Sequence, residues 1–268
     1  MNAGDTQPAG ASPDAPETAP ADWDATKYAR VATPQREWSD AVLSRLELKG
    51  DETVMDAGCG SGEVTAHLLE RLPEGRVIAV DGSPSMVDKA RDNLGEDRIE
   101  YLCQDLATLQ LDERVDHAFS NATFHWIADH DALFSRLRQA IEPGGMLVAQ
   151  CGGRGNVAEV IEAMRQVNLE EPFAEHLSRV DHPWNFAGPD ETEVRLIAAG
   201  FEDANCWLEE RIAHPEEPQA FFEASFLAPL GDLLPNSLFQ AYSDRMMEVM
   251  GQPDSFNYVR LNIEARRA

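Results

Sequence analysis

The sequence predicts an α/β fold built on a doubly wound, mostly parallel sheet. Short apolar runs alternate with segments of helical period between residues 35 and 150. Three alternating glycines follow the first apolar run, and an acidic residue ends the second. Strands that alternate with helices pair in parallel, and a parallel sheet is covered on both faces. That burial accounts for strands that are apolar along their whole length.

The first half of the chain carries the clearest elements. Apolar residues recur at helical spacing from 35 to 48, which predicts a helix before the first strand. Ser83 precedes Pro84, a pairing of N-cap and first-turn residue that predicts a helix start. A further helix over 132–141 should end at the turn Pro143-Gly144-Gly145. Strands are predicted at residues 53–56, 76–80, 99–103, 115–120 and 146–150.

The second half is predicted to add helices and two more strands. Helices are expected over 156–180 and 217–250, with a Pro-, Gly- and Trp-bearing interruption at 181–190. A sixth strand is expected at 201–208. Residues 258–265 alternate strictly between polar and apolar, which predicts a final strand with one face half-exposed.

The domain organisation follows from these elements. Residues 1–22 mix Ala, Pro, Gly, Asp and Thr without apolar periodicity and are expected to form a disordered tail. Residues 23–268 are expected to form one domain. Its ligand-binding core would cover 23–156, and helical insertions at about 157–195 and 216–251 would form a lid on the substrate side.

Charge and composition exclude several classes of protein. The chain has 48 acidic against 22 basic residues and a formal net charge of −26, which gives no basic footprint for nucleic acid. The apolar runs are too short to cross a bilayer, so we expect a cytoplasmic protein without a membrane partner. The cysteines are widely spaced without the pairing of a metal site, and free thiols in a reducing compartment are expected for Cys59, Cys103, Cys151 and Cys206.

The glycine-rich stretch Asp56-Ala57-Gly58-Cys59-Gly60-Ser61-Gly62 is the strongest sign of function. Glycine permits positive φ and lets the backbone approach a ligand closely, although a tight strand-to-helix turn without a ligand has the same pattern. Asp81 ends the second strand, where a carboxylate can accept both hydroxyls of a ribose. Asp105 follows the third strand and could accept from an exocyclic amine, or simply stabilise a turn. Together these residues indicate a nucleotide-like ligand.

A family resemblance extends this interpretation. The glycine stretch, Asp81, Asp105 and Pro143-Gly144-Gly145 as a set resemble the class I S-adenosylmethionine-dependent methyltransferases over roughly residues 23–156. Within that superfamily, three segments look most like trans-aconitate methyltransferases and, more distantly, malonyl-carrier-protein methyltransferases. These segments are Trp23-Asp24-Ala25-Thr26-Lys27-Tyr28, Ser120-Asn121-Ala122-Thr123-Phe124-His125-Trp126 and Asp129-His130-Asp131-Ala132-Leu133-Phe134.

The resemblance implies a Rossmann-like, seven-stranded sheet with an antiparallel final strand, and S-adenosylmethionine as cofactor. Asp56 and the backbone of Gly58, Gly60 and Gly62 would hold its methionine moiety. The adenosine would lie among Asp81, Gly82, Ser83, Met86, Asp105 and Leu106. Asn121 would lie beside the sulfonium, and Tyr28 would close over the cofactor. A dinucleotide fits less well, because the spacing is G-x-G-x-G rather than G-x-G-x-x-G.

Two residues are candidates for catalysis. His125 could be a general base, since imidazole titrates near neutral pH, or it could pack with Trp126 as a half-buried pair. Arg154 could hold a substrate carboxylate through its planar fork, or could be a solvated loop charge. Cys59 lies in the glycine loop, but no base is close in sequence, and a small residue packing under the cofactor is the better interpretation.

The predicted reaction is methyl transfer to a small molecule, with O-methylation of a carboxylate favoured by the resemblance. A hydroxyl or amine acceptor would need a base, which would give His125 more weight. A carrier-bound acid, a macromolecular acceptor and a non-catalytic binding protein are the alternatives. The strongly negative chain is a poor attractor for a polyanion, so a neutral or monocarboxylate acceptor is also considered. The protein is expected to be a monomer or weak homodimer.

The acidic surface is expected to make stability depend on salt, as in an adaptation to high salt. The charges behind a net charge of −26 repel one another in the folded protein, and added salt screens that repulsion. The melting temperature should therefore rise between about 0.1 M and about 1 M KCl, where the screening length falls from about 10 Å to about 3 Å. A melting temperature that stays level across this range would contradict the interpretation.

Overall fold

A computed structural model describes residues 33–230 and 233–268. The tail predicted at 1–22 and the candidate Tyr28 lie outside the described residues.

One seven-stranded sheet organises the chain, in the order β3-β2-β1-β4-β5-β7-β6. The strands are β1 Thr53–Ala57, β2 Arg76–Asp81, β3 Ile99–Cys103, β4 His117–Asn121, β5 Met146–Gly152, β6 Phe201–Ala213 and β7 Phe256–Arg267. The first five strands pair in parallel, and β7 runs antiparallel between β5 and β6. The Rossmann-like sheet with an antiparallel final strand is therefore confirmed.

Helices flank the sheet and extend beyond it in the second half. They are α1 Thr33–Leu43, α2 Glu63–Glu70, α3 Pro84–Leu94, α4 His130–Ala140, α5 Ala158–Val167, α6 Ala174–Leu177, α7 Pro189–Ala199, α8 Pro218–Phe222 and α9 Asn236–Val249. The predicted start of α3 is confirmed, because the Ser83 hydroxyl accepts a hydrogen bond from the Met86 N–H. Over the described ranges, no helix has both the length and the apolar character that crossing a membrane requires.

The sheet is buried from both sides, as the apolar strands predict. In β2, Val77 and Ala79 pack into a cluster with residues of α1, α2 and α3. The alternate residues Ile78 and Val80 pack into the opposite cluster, with residues of α4 and α7. A third cluster joins α5, α6, α8 and α9 to the beginning of β7, so the second-half helices share a core of their own.

Helix α7 was not predicted, because its apolar face is narrow. Thr192 and Leu196 are its buried residues, whereas Val194 and Ile197 are exposed by 67% and 63%. This distribution gives no clear helical period in the sequence. Leu196 packs into the sheet's own cluster, so α7 belongs to the core layer rather than to the expected lid.

The final strand is the main correction to the fold. The sequence predicts one half-exposed face for residues 258–265, but the polar residues Arg260 and Asn262 are buried as well. The reason is the position of β7 between two other strands, with its polar side chains joined in a network. Arg45 Nη1 and Gln150 Nε2 both donate to Asn262 Oδ1, at 2.6 and 2.7 Å. Arg260 Nε donates to Gln150 Oε1 at 3.3 Å.

Candidate active site

A cavity of about 460 Å³ lies at the carboxyl ends of β1, β2 and β4. Ligands of open α/β sheets bind at this edge, where successive connections leave the sheet in opposite directions. The second half of the chain contributes part of the remaining wall, which includes Trp184, Phe186, Ser225, Phe226 and Tyr258.

The glycine loop after β1 is fixed against β2. Gly58 has φ +91°, and a Cβ there would lie 2.1 Å from Thr123 Oγ1, so only glycine fits. The Gly60 N–H donates to Asp81 Oδ2, and the Ser83 N–H donates to Asp81 Oδ1, both at 2.9 Å. One carboxylate therefore holds the loop and the start of α3 together at the floor of the cavity.

Gly62 has a different role from the other glycines. It is not among the residues that line the cavity, although its neighbours Ser61 and Glu63 are. Its φ is +89°, and a Cβ would lie 2.8 Å from Leu94 Cδ1. Gly62 therefore makes the tight turn into α2, which corrects its predicted place among ligand-binding residues.

Asp56 is a second carboxylate at the loop, and it is fully buried. Its Oδ2 accepts from the Thr65 hydroxyl at 2.7 Å. Burial raises the pKa of Asp56 to about 6, and the charge of Asp81 adds to the effect. Burial also raises the pKa of Asp81. A cationic ligand here would stabilise the ionised form of both groups.

The β2 and β3 ends form another part of the cavity wall. Gly82, Ser83, Met86, Asp105 and Leu106 all line it, as the sequence analysis expects. Asp105 Oδ1 accepts from the Ala107 N–H at 2.8 Å, so this residue also stabilises its own turn. Both interpretations of Asp105 are therefore compatible with the structure.

Asn121 ends β4 beside the glycine loop. Its side-chain oxygen Oδ1 is buried and has no hydrogen-bond partner among the residues that the structure describes. The next residue, Ala122, has φ +58°, an uncommon conformation for a residue with a side chain. An unpaired buried acceptor is costly in a native protein, which makes this atom a candidate ligand contact.

His125 lines the cavity, and its environment argues against the predicted general base. Its ring is buried, with ring centroids 5.1 Å from Trp126 and 5.7 Å from Phe186. Nδ1 accepts the Gly152 N–H at 3.2 Å, which assigns the ring proton to Nε2. Burial, and then the charge of Arg260, hold the pKa of His125 well below its usual range. The ring is neutral, and Nε2–H is a hydrogen-bond donor.

Arg154 is corrected as a candidate for substrate binding. Its side chain is 62% exposed and pairs with Glu191 at 2.8 Å, and it does not line the cavity. The cavity instead contains Arg260 of β7, which is only 5% exposed. The sequence signal for Arg260 was the alternation of polar and apolar residues over 258–265. Arg260 belongs to the polar face of this strand, and it lies opposite Gly152 at the end of β5.

Cys59 is a buried neighbour of the carboxylates rather than a nucleophile. Its side chain is 7% exposed, and burial with the nearby Asp56 and Asp81 raises the pKa of its thiol strongly. The thiolate is the nucleophilic form of cysteine, so a thiol that stays protonated does not act as a nucleophile. Cys59 is therefore a small packing residue, as predicted from the sequence.

Comparison with known proteins identifies the family. Residues 54–145 match the model of the methyltransferase domain family. A trans-aconitate 2-methyltransferase from Variovorax paradoxus is 30% identical over 226 residues, which cover 82% of this chain and 86% of that protein. The chain belongs to the class I S-adenosylmethionine-dependent methyltransferases.

Other relatives agree with that family. A malonyl-acyl-carrier-protein O-methyltransferase from Acetivibrio thermocellus is 32% identical over 155 residues, 56% of this chain, and the match spans only 55% of that protein. The structure of Haemonchus contortus phosphoethanolamine N-methyltransferase 2 in complex with S-adenosyl-L-methionine superposes with a TM-score of 0.59. It is 19% identical and covers 91% of this chain and 56% of that chain, so it supports the fold alone.

S-Adenosylmethionine is the cofactor of this methyltransferase, and the cavity fits it. The ligand carries an ammonium, a sulfonium and a ribose. Asp56 and Asp81 offer carboxylates, and Asn121 offers an unpaired amide oxygen. At Gly60, a Cβ would meet nothing within 4 Å, so the loop backbone there faces open space.

Replacing Asp56 by asparagine should flatten the pH dependence of stability in the ligand-free methyltransferase. The pKa of Asp56 is about 6 in the folded protein, whereas an unfolded aspartate titrates at about 3.9. Its stabilising contribution is therefore complete below about pH 4 and is lost as the pH rises to about 6. The loss amounts to at most about 3 kcal/mol and is absent in Asp56→Asn.

The measurement is urea denaturation of both proteins across this range. The difference in the free energy of unfolding between variant and wild type should grow from about pH 4 to about pH 6 and then stay level. Asp92→Asn, at an exposed position on α3, controls for the loss of one negative charge. A difference that is constant over the whole range would contradict the assigned environment of Asp56.

Proposed function

We propose that this methyltransferase transfers the methyl group of S-adenosylmethionine to a carboxylate oxygen of a small-molecule acceptor. One observation carries the proposal: Arg260, a permanently charged group, is buried in the cavity close to the neutral His125. A buried guanidinium is costly unless an anion or hydrogen-bond acceptors compensate it. Gln150 supplies one acceptor, and a ligand carboxylate in the cavity would add an opposite charge.

The cofactor would occupy the loop end of the cavity. Asp56 would accept from the ammonium of its methionine moiety, and Asp81 would accept from the ribose hydroxyls. Asn121 Oδ1 would lie beside the sulfonium. The adenine would lie among the remaining wall residues Gly82, Ser83, Met86, Asp105 and Leu106.

The proposed acceptor chemistry agrees with the neutral state of His125. The cofactor supplies an activated methyl group with a good leaving group. A carboxylic acid with a pKa of about 4 is already ionised at neutral pH, so no base is needed. Arg260 and His125 Nε2–H would orient the carboxylate, and the aromatic wall would exclude water. Orientation of this kind is a major source of rate enhancement in bimolecular reactions.

The names of the relatives favour the same acceptor group. The similar proteins act on trans-aconitate and on malonyl-acyl-carrier protein, and both acceptors contain carboxylates. By contrast, a hydroxyl or amine acceptor would need a proton acceptor, which the Nε2–H tautomer of His125 does not provide.

We propose that the second-half segments form the acceptor side of the domain, as the boundaries 157–195 and 216–251 suggest. Trp184 and Phe186 come from the first segment, and Ser225 and Phe226 come from the second. The stretch Glu223–Leu227 forms a π-helical turn, a feature frequent at functional sites. Helix α7 is the exception, since it packs on the sheet.

Asp81→Ala should weaken cofactor binding by at least about 10-fold, because it removes the proposed ribose contact and releases the glycine loop from β2. One lost hydrogen bond to a charged group corresponds to about 1.5–3 kcal/mol. Isothermal titration calorimetry with S-adenosylmethionine measures the dissociation constant. Asp92→Ala, an exposed aspartate on the neighbouring helix, is the matched control. Unchanged affinity in Asp81→Ala would refute the proposed cofactor contacts.

Arg260→Gln should lower kcat/KM for a carboxylate acceptor by about 10- to 100-fold, because it removes the charged partner of the acceptor. The affinity of Arg260→Gln for S-adenosylmethionine should be unchanged. Calorimetry measures this affinity, and cofactor binding also shows that the variant is folded. Arg154→Gln removes an exposed arginine and should leave the rate unchanged. Release of adenosylhomocysteine is measured with carboxylic acids, phenols and amines. Turnover of phenols or amines alone would contradict the carboxylate assignment.

A further inference from the structure

The segment between α6 and α7 presents three aromatic rings to one side. His182, Trp184 and Phe186 alternate along the chain and stack, with interplanar angles of 14–19° and centroid distances of 5.6–6.0 Å. Trp184 and Phe186 line the cavity. All three ring centroids lie within 6.0 Å of one another, so the chain bends within this segment and gathers the rings into one group.

This aromatic segment is held in place by hydrogen bonds to the core. The Asn185 N–H donates to the His125 carbonyl oxygen at 2.8 Å, and Asn185 Nδ2 donates to the carbonyls of Ile127 and Ala128 at 3.2 and 3.0 Å. The Ala187 carbonyl accepts from the Arg154 N–H at 2.9 Å. The rings therefore form a fixed wall beside His125.

Trp126 and Phe226 add further rings to this wall, and the part of the cavity beside the rings is called the aromatic slot. Trp126 meets Trp184 edge-on at 5.9 Å, and Phe226 meets it edge-on at 6.4 Å. Trp126 and Phe226 also line the cavity. Aromatic side chains pack favourably against another flat ring in offset-stacked or edge-to-face arrangements. A ligand with a flat ring therefore fits this wall better than a charged aliphatic chain does.

The charges of the described cavity wall favour an acceptor with one anionic group. Among the described residues that line it, Arg260 is the one arginine, and there is no lysine. Three carboxylates of the lining lie at the glycine loop and at the ends of β2 and β3, namely Asp56, Asp81 and Asp105. Asp129 and Glu63 line the cavity elsewhere. A second or third acceptor carboxylate would be desolvated among aromatic rings without a cationic partner, which is strongly unfavourable.

We infer that the acceptor is a monocarboxylate with a flat, apolar, ring-bearing body. This inference rests on the proposed carboxylate function and narrows it. The carboxylate meets Arg260 and His125 Nε2–H, and the ring lies against Trp126, Trp184 and Phe186. A carboxylate oxygen forms a bond to the methyl carbon as the sulfur–methyl bond breaks. The sulfur keeps the electron pair, and no proton is transferred, so the product is a neutral ester.

An acceptor series tests this inference with the full-length protein and S-adenosylmethionine. Benzoate, phenylacetate and indole-3-acetate are flat monocarboxylates, cyclohexanecarboxylate has the same charge without a flat ring, and trans-aconitate carries three carboxylates. The kcat/KM for the best flat acid should exceed that for trans-aconitate by at least about 10-fold. The reason is that binding of trans-aconitate would bury at least one carboxylate without a cationic partner. Phenol, which lacks the carboxylate, should not be methylated.

The outcomes separate this inference from the proposed function. A higher kcat/KM for trans-aconitate or cyclohexanecarboxylate than for every flat acid would overturn the inference and leave carboxylate methylation intact. Turnover of phenol without turnover of any carboxylate would overturn both the inference and the proposed function. The same conclusion would follow if none of the acids in the series were methylated.

A variant pair tests the aromatic wall directly. Phe186→Leu should raise KM for the best flat acid by about 2- to 10-fold, the range of one aromatic contact, and should change KM for cyclohexanecarboxylate less. Phe239→Leu removes a partly buried ring that packs on the second-half cluster away from the cavity, and is the control. Calorimetric titration of phenylacetate and of cyclohexanecarboxylate into protein saturated with adenosylhomocysteine gives the same comparison without turnover. Equal effects of Phe186→Leu on both acids in both measurements would refute the aromatic slot.

Discussion

The antiparallel course of β7 is the constraint on which the acceptor side of the site depends. Five parallel strands end at the same edge of the sheet, and an antiparallel strand beside them begins there. Arg260 consequently lies opposite Gly152, the last residue of β5, and Tyr258 lies further toward the cavity. A parallel final strand would carry the same residues to the far edge. The direction of one strand thus brings Arg260 into the same cavity as the glycine loop.

The buried network behind Arg260 makes that placement specific. Asn262 accepts from Arg45 and Gln150, and Gln150 accepts from Arg260. A one-residue slip of β7 would turn these polar side chains to the opposite, apolar face of the sheet. The network therefore fixes the register of β5 and β7 relative to the turn that carries Arg45, and the Arg260 guanidinium is oriented by contacts that lie outside the cavity.

Local signals were sufficient to predict the turns at the carboxyl ends of β1 and β2. The glycine loop, Asp81 and the Ser83 N-cap are short-range patterns, and each lies where its neighbours in sequence place it. His125 and Arg260 could not be assigned in this way. The tautomer of His125 depends on the N–H of Gly152 in another strand, and the burial of Arg260 depends on pairing across more than a hundred residues. Arg154 was the more visible arginine because its loop follows β5, but Glu191 holds it at the surface.

Arg260 would also distinguish the proposed reactant from its product by charge. Under the proposed chemistry the bound acid carries one negative charge, and its ester carries none. The attraction that retains the reactant in the slot is therefore removed by the bond that forms there. Arg260 would then attract the ester less strongly than another molecule of the acid. Under the proposed chemistry, release of the ester would therefore follow from the loss of its charge.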